Sequence, residues 1–518
     1  MSVAIQSIVC AILGIVHGSA ISGLIAPSWA LQIVSLSAGI FAFVNAAQAR
    51  TSRVLLLASA FYIASFWIGL GWLDDALVRQ ATLGVLLGSM LFLLIVLAVA
   101  AFPVLVLSAS IVATRRIRFL ALRALGCAAS LALAEYWRGE VTGFPWLAPG
   151  YAQVESPLAG LFPLLGIHGV GLVIAIIACA IALLGAHAVR RDATRSDVLS
   201  IASLAFITVA VVVLARQRDE GTDSPAVHIK LLQTQLSLDE KFSPNEYQRY
   251  VGKIGAWVEA NDANRPTTAI ITPETLIPSP WYQLSKEWQR TLLDAAARSG
   301  GTIVLGMLDH DESFGFVNRT VLLKSAPGQT PRLDSITYTK RTLVPLGEYA
   351  PPGFGWIVDL LALPASQRSP GPPGQSVLKM DGLVIKPSIC LDALAPNALQ
   401  VDEDFDVLAN QANLSWFPGE KIREQFWLAL RARALELDKP VIASANTGPS
   451  GAIDADGRTI LRVPSGAEGM FAATIEPRRG ITPYARYGDA LFLWLCATAV
   501  IIAFTPAILR RVRPRGST

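Results

Sequence analysis

GLVIKPSICLDA, residues 382–393, reads as a buried strand that ends on a thiol: an apolar run leads through Lys386, Pro387, Ser388 and Ile389 to Cys390. Two other runs in the same half of the chain close on a functional group. TTAIITPE (267–274) ends in Glu274 and SITYTK (335–340) ends in Lys340. Further strand-like runs are HIKLLQTQ (228–235), GTIVLGML (301–308), RTVLLKS (319–325), FDVLANQAN (405–413), PVIASAN (440–446) and an end strand near 451–462. Helical patterns occupy 245–262, 284–299 and 420–438. Apolar strands alternating with helices imply an α/β sheet covered by helices. Residues 351–375, rich in Pro, Gly and Ser, read as a long mobile loop.

The rest of the chain has another character. The protein is 53% apolar and only 16% charged, a balance typical of multi-pass membrane proteins. Apolar residues crowd into 1–215 and 490–509. A span needs about 20 of them. The sequence offers eight such segments: 3–25, 29–48, 54–73, 82–112, 117–137, 158–186, 199–215 and 490–509. The first has no separate cleavage-site pattern and reads as a retained span. The fourth is long, and Pro103 marks a kink. Arg50 and Arg53, Arg115, Arg116 and Arg118, Arg190, Arg191 and Arg195, and the tail arginines Arg510, Arg511, Arg513 and Arg515 all fall in alternate connections. The intervening loops carry no charge (26–28) or balance Asp74 and Asp75 against Arg79, and Glu140 and Glu155 against Arg138. The positive-inside rule makes the basic side cytoplasmic, with both termini. The domain between spans seven and eight is then extracytoplasmic. The organisation expected is a helical bundle over 1–215, a catalytic domain over 216–489, and a last span with a basic tail over 490–518. A net charge of +4 without a basic stripe gives no reason to invoke nucleic acid.

Cys390 is the only thiol between Cys179 and Cys496. In an oxidising compartment it has no partner in its own domain, so it is either a reactive thiol or a buried inert one. A carboxylate, an ammonium and a thiol at strand ends form a self-contained nucleophilic set. Glu274 can take the thiol proton; Lys340 is expected to lower the thiol pKa and then stabilise an oxyanion. Only His228 and His310 lie in the domain, neither at such a strand end, so a Cys-His pair is the weaker candidate. No ligand cluster has metal spacing, and this chemistry needs no cofactor.

The surrounding residues carry a resemblance. TPETLIP (272–278) resembles the glutamate motif of the nitrilase, or carbon-nitrogen hydrolase, superfamily. YTKRTLVPLGEYAPP (338–352) closely resembles the lysine motif of the bacterial apolipoprotein N-acyltransferases. ANLSWF (412–417), RARALELDKPVIASANTG (431–448), TPYARYGD (482–489) and, in the apolar half, GFPWLAPGYAQVESPLAGLFPLLG (143–166) are similar to the same family, so the resemblance spans essentially the whole chain. It implies a multi-pass α-helical membrane bundle of about eight spans plus an extracytoplasmic nitrilase-like αββα domain, in the bacterial inner membrane with the domain periplasmic.

The resemblance further implies transfer of an acyl chain from a phospholipid, through a thioester on Cys390, to the α-amino group of a lipoprotein's lipid-modified N-terminal cysteine. Glu274 is then the general base, Lys340 the oxyanion stabiliser and Cys390 the nucleophile. Glu348 matches a second family glutamate that orients Lys340 or relays a proton. The expected partners are a phospholipid donor and a lipoprotein acceptor, with the protein itself read as a monomer. Three positions, at two places, depart from the family pattern. Tyr-Glu after the nucleophile is here Leu391-Asp392, and a family tryptophan aligns with Phe242 in EKFSP. Both border the site and bear on the acceptor.

Several readings stay open beside this one. Asn413 and Trp416 belong either to a turn or to the pocket wall. Trp146, Tyr484 and Tyr487 are interfacial aromatics or substrate contacts. Glu135 and Arg138 snorkel, pair or act. Arg431 and Arg433 read as structural ion pairs. The alternative enzyme is a membrane-anchored amidase of nitrilase type or an acyltransferase with another acceptor. A transporter would need ionisable residues within its spans; almost none lie at span centres, apart from His17 and His168 near or inside the ends.

Overall fold

In the computed structural model the described residues are 2–79, 84–216, 224–236, 240, 241, 243, 250, 252–254, 256, 257, 267–299, 301–324, 332–345, 347–350, 355, 368–380, 382–395, 398–417 and 419–512. The chain divides into two compact units, one formed by residues 1–78, 83–219 and 487–518, the other by 79–82 and 220–486.

The first unit is helical. Its helices are α1 (Val3–Ile21), α2 (Ser28–Ala46), α3 (Thr51–Gly69), α4 (Gly71–Arg79), α5 (Gly84–Thr114), α6 (Leu120–Thr142), α7 (Phe162–Arg190), α8 (Arg195–Arg216) and a last helix, Ala490–Val512. Among the described residues, six helices are long and apolar enough to cross a membrane. The expected segments 117–137 and 490–509 fall on helices outside those six. Helix α6 carries Arg123, Glu135, Arg138 and Glu140, and the apolar part of the last helix is the shorter Ala490–Thr505. Pro103 sits inside α5, which is nevertheless assigned as one helix. Helix α7 is interrupted at Gly166, whose φ of 64° and ψ of −175° suit glycine.

Glycines set the closest approach in this unit. A Cβ on Gly14 would lie 2.1 Å from the Phe61 carbonyl oxygen, and one on Gly18 2.2 Å from that of Ser65. Helix α1 therefore meets α3 backbone to backbone across two small residues four apart, the packing that replaces the hydrophobic effect between apolar helices. Arg138 donates to Glu135 at 2.8 Å and to the Phe144 and Trp146 carbonyls at 3.1 and 2.8 Å. The pair is buried, so Glu135 and Arg138 tie α6 to the segment after it instead of snorkelling. Trp146 is buried too, its ring 5.2 Å from Trp72 and 6.2 Å from Phe144. In this unit it is a packed aromatic, not an exposed belt residue.

The second unit holds two six-stranded sheets. The strands are β1 (Val227–Gln233), β2 (Ala269–Ile271), β3 (Thr302–Asp311), β4 (Gly315–Lys324), β5 (Arg332–Thr339), β6 (Leu378–Met380), β7 (Leu383–Ile389), β8 (Val407–Ala412), β9 (Val441–Ala445), β10 (Gly451–Ile453), β11 (Thr459–Arg462) and β12 (Gly469–Ile475). Their orders are β12-β1-β2-β3-β4-β5 and β11-β10-β9-β8-β7-β6. Parallel pairs (β1-β2, β2-β3; β7-β8, β8-β9) occupy the middle of each and antiparallel pairs the flanks. Alternate residues split the faces. Ile229, Leu231, Ile271 and Val304 meet Ile385, Val407, Ala409 and Ile442 in one core between the sheets. Leu232, Ile270, Ile303 and Leu305 point the other way, onto Leu292, Ala295 and Ala296 of the Lys286–Ser299 helix.

Details differ from the sequence reading where strands are short. The end strand expected near 451–462 is the hairpin β10-β11, and β6 and β12 add two strands the pattern did not signal. The 245–262 helix falls largely outside the described residues.

The α1–α3 contact gives a test. Gly18→Leu is expected to cost about 1–3 kcal/mol by overpacking and to lower the thermal midpoint in detergent. Ile12→Leu, at an exposed position of the same helix, should leave it unchanged.

Candidate active site

Glu274, Lys340 and Cys390 each sit just past a strand. Glu274 is three residues beyond the short β2, in a turn; Lys340 directly follows β5; Cys390 directly follows β7 and opens a 3-10 turn, Cys390–Leu394. The backbone at Thr275 and Cys390 takes positive φ, 50° and 49°. Neither is glycine, so both turns hold strained conformations that the surroundings must impose.

The surroundings do so by hydrogen bonding. Thr272 Oγ1 donates to the Val304 carbonyl at 3.2 Å and accepts from the Gly306 N–H at 3.0 Å. Gln411 Nε2, from the opposite sheet, donates to the Thr272 carbonyl at 2.7 Å. Lys241 Nζ donates to the Glu274 carbonyl at 2.9 Å. Gly306 permits this approach: a Cβ there would lie 2.3 Å from the Pro273 carbonyl oxygen. Lys340 is held by its own backbone, its N–H bonded to the Asn318 carbonyl at 2.9 Å.

At the centre Lys340 Nζ lies 2.9 Å from a carboxylate oxygen of Glu274 and 2.9 Å from one of Glu348, with the ammonium only 1% exposed. Asn318 Nδ2 donates to Oε1 of both carboxylates at 2.9 and 2.8 Å. Its amide orientation is fixed, because Oδ1 accepts from Thr275 Oγ1 at 3.1 Å and Arg368 Nη1 at 2.8 Å. Arg368 Nη1 also donates to Glu348 at 2.9 Å. Cys390 is within electrostatic reach of Glu274, Lys340 and Glu348, and the Asn413 N–H donates to its sulfur. The structure thus brings the four groups Glu274, Lys340, Glu348 and Cys390 into one buried cluster.

Burial opposes charge on Lys340, but Glu274 and Glu348 outweigh it and hold the ammonium protonated. Burial likewise opposes charge on Glu348; Lys340 and Arg368 overcome it and keep the carboxyl below its usual range. The thiol corrects the sequence expectation. Burial first, and then Glu274, push Cys390 up to about 12, and the pull of Lys340 does not compensate. The resting sulfur is a protonated thiol that needs a base. Burial also draws Lys241 down to about 7, against the pull of Glu274.

Asp392 is fully buried and serves as a connector. It accepts from the N–H groups of Ile389 (3.0 Å), Thr342 (2.7 Å) and Arg341 (3.2 Å), and from Tyr338 Oη at 2.9 Å. Burial raises its carboxyl in spite of these donors. It fastens the turn of Cys390 to the segment of Lys340. Leu391 is buried in that turn. The side chain of Asn413 caps the Leu414–Trp416 turn, and its N–H donates to the Cys390 sulfur. Trp416 lies in that turn. Tyr484 is buried in the short helix Pro483–Tyr487, whereas Tyr487 is exposed. Arg433 pairs with Glu436 at 2.6 Å, both fully buried, and Arg431 donates to the Gly457 carbonyl at 2.6 Å, as structural residues do. Phe242 is outside the described residues.

Sequence reasoning missed Asn318, Arg368, Lys241 and Tyr338. Asn318 had a signal, a lone amide in the apolar strand FVNRTVLL. Arg368 had none, since it lies in the stretch read as a mobile loop. The described end of that stretch is pinned: the Gly371 N–H bonds to the Lys340 carbonyl at 2.7 Å, and Gln375 pairs with the Thr339 backbone at 2.7 and 2.8 Å.

Gly306→Ala should press on the Glu274 turn, destabilising by about 1–3 kcal/mol and lowering turnover more than a surface substitution of equal stability cost. Alkylation of Cys390 by iodoacetamide should speed up about tenfold per pH unit from pH 7 to 10, because the thiolate fraction of a raised thiol keeps growing over that range. A plateau below pH 9 would contradict the protonated resting thiol.

Comparison with known proteins gives the same two units. Residues 18–180 match the apolipoprotein N-acyltransferase N-terminal domain and residues 247–482 match carbon-nitrogen hydrolase. An apolipoprotein N-acyltransferase of Bordetella bronchiseptica is 31% identical, with 92% of each chain covered. One of Ralstonia nicotianae is 30% identical, with 97% of this chain and 93% of its own covered. Among solved structures, a CN-hydrolase superfamily protein of Xanthomonas campestris aligns at 20% identity and a TM-score of 0.35, covering 57% of this chain and 98% of its own. The chain is a multi-pass membrane acyltransferase with a nitrilase-like domain, and it belongs to the apolipoprotein N-acyltransferase family.

Proposed function

We propose that this enzyme transfers an acyl chain from a phospholipid to the N-terminal α-amino group of a diacylglyceryl-cysteine lipoprotein through a thioester on Cys390. The observation that carries the proposal is the buried Lys340 ammonium shared by Glu274 and Glu348 beside a protonated thiol.

Glu274 takes the proton from Sγ as the sulfur attacks the ester carbonyl. The carbonyl oxygen becomes an oxyanion, which Lys340 neutralises in a site where buried charges act strongly. The intermediate collapses, the C–O bond breaks, and the leaving lysophospholipid oxygen takes the proton back from Glu274. The acceptor amine then attacks the thioester carbonyl and gives a proton to Glu274. The C–S bond breaks, and the sulfur recovers that proton. Glu348 holds Lys340 in place throughout. Topology follows from the arginine pattern: eight spans in the bacterial inner membrane, both termini cytoplasmic, and the catalytic domain periplasmic.

Mass spectrometry of the protein from membranes tests the thioester. A fatty-acyl mass on the Cys390 peptide, removed by neutral hydroxylamine and absent from Cys390→Ala, is expected. Glu274→Gln and Lys340→Met should each slow its formation at least about 100-fold, the usual scale for a general base or an oxyanion donor. An unmodified Cys390 after incubation with phospholipid would reject the phospholipid donor. Loss of the acyl group to water, with no dependence on an added amine, would favour the amidase.

A further inference from the structure

The site contains two buried carboxylates and one lysine, and the proposed reaction needs only one of the carboxylates to accept a proton. Two carboxylates that share a site tend to hold one proton between them, because like charges at short range do not both ionise.

The surroundings of the two groups differ. Glu348 Oε1 accepts from Lys340 Nζ (3.0 Å), Asn318 Nδ2 (2.8 Å) and Arg368 Nη1 (2.9 Å), and its Oε2 from the Val344 N–H (2.9 Å). Glu274 accepts through Oε1 alone, from Lys340 and Asn318 at 2.9 Å each, and no donor among the described residues reaches its Oε2. Arg368 is tied in twice: its backbone N–H bonds to the Glu348 carbonyl at 3.0 Å, and its guanidinium spans Glu348 and the Asn318 amide oxygen. An arginine stays charged at all working pH values. It supplies the second positive charge that balances two carboxylates against Lys340.

We propose that Arg368 is a positioning residue that holds Glu348 ionised and engaged on Lys340, leaving the open oxygen of Glu274 to receive the thiol proton. This rests on the acyl-transfer reading above. The charged and titratable groups facing the pair are Lys340 after β5, Arg368, Cys390 after β7, and Lys241, which holds the Glu274 carbonyl; Asp392 lies beyond, against the backbone of Arg341 and Thr342. Removing Arg368 leaves one ammonium between two carboxylates. The Glu348 carboxyl then loses the charge that holds it down, and its ionised form appears only at higher pH.

The test is the rate of Cys390 thioester formation against pH, measured on the full-length protein in phospholipid vesicles. Arg368→Gln is expected to move the acid limb up by about one pH unit or more, equivalent to a tenfold rate loss at a fixed pH on that limb. Arg368→Lys keeps the charge and should retain the wild-type limb while turning over more slowly. An unshifted limb in Arg368→Gln, whatever its absolute rate, overturns the proposal. So does a limb shifted equally in Arg368→Lys, which decides the matter alone if Arg368→Gln does not fold. A wild-type protein that never acylates Cys390 overturns the acyl-transfer reading itself and this role with it; a wild type that acylates beside unshifted variants overturns only Arg368.

Discussion

The site depends on one buried ammonium. Lys340 lies between two carboxylates at 2.9 Å from each, almost wholly out of water. A lysine in that position would shed its proton without them, and burial would push the Glu348 carboxyl up without Lys340 and Arg368 beside it. Every neighbouring device serves this balance. Asn318 donates to both carboxylates with an amide that cannot flip, and Arg368 adds the second positive charge. Such a site is preorganised: the ammonium is in place and charged, held by groups that do not have to move.

The same burial has the opposite effect on the thiol. Sulfur is a poor carrier of charge in an apolar setting, so Cys390 stays protonated although an ammonium is close. In the acyl-transfer mechanism proposed above, the sulfur would then be activated by proton transfer at the moment of attack, not by a standing thiolate. A protonated resting thiol is also less open to stray oxidants and disulfides, since it is the thiolate that reacts with them.

The Leu391-Asp392 pair looks, in sequence, like a departure beside Cys390. In the fold Asp392 gathers three backbone N–H groups and the Tyr338 hydroxyl at no exposure, and it joins the thiol turn to the lysine segment. The short aspartate arm is matched to this inward task. In the helical unit, the Gly14 and Gly18 approach to α3 has the same logic: side-chain size is set by what must fit between two backbones.

The sequence by itself determined the division into a helical membrane part and an α/β part, because apolar runs of span length and strand-ending runs have distinct periods. It also pointed to Glu274, Lys340 and Cys390, since each polar group interrupts a pattern that apolar burial otherwise dictates. The short strand β6 escaped because three residues carry no period. What only the tertiary structure decided is the electrostatic order of the site. Arg368 sits 28 residues after Lys340, in a stretch without helical or strand pattern, and nothing local marks it. Its partners are set by the fold, and the sign of the Cys390 shift is set by burial against charges that come from separate strands. Local sequence encodes periodicity and turn chemistry. The sum of desolvation and Coulomb energy at one atom exists only once distant segments have been brought to within a few ångströms.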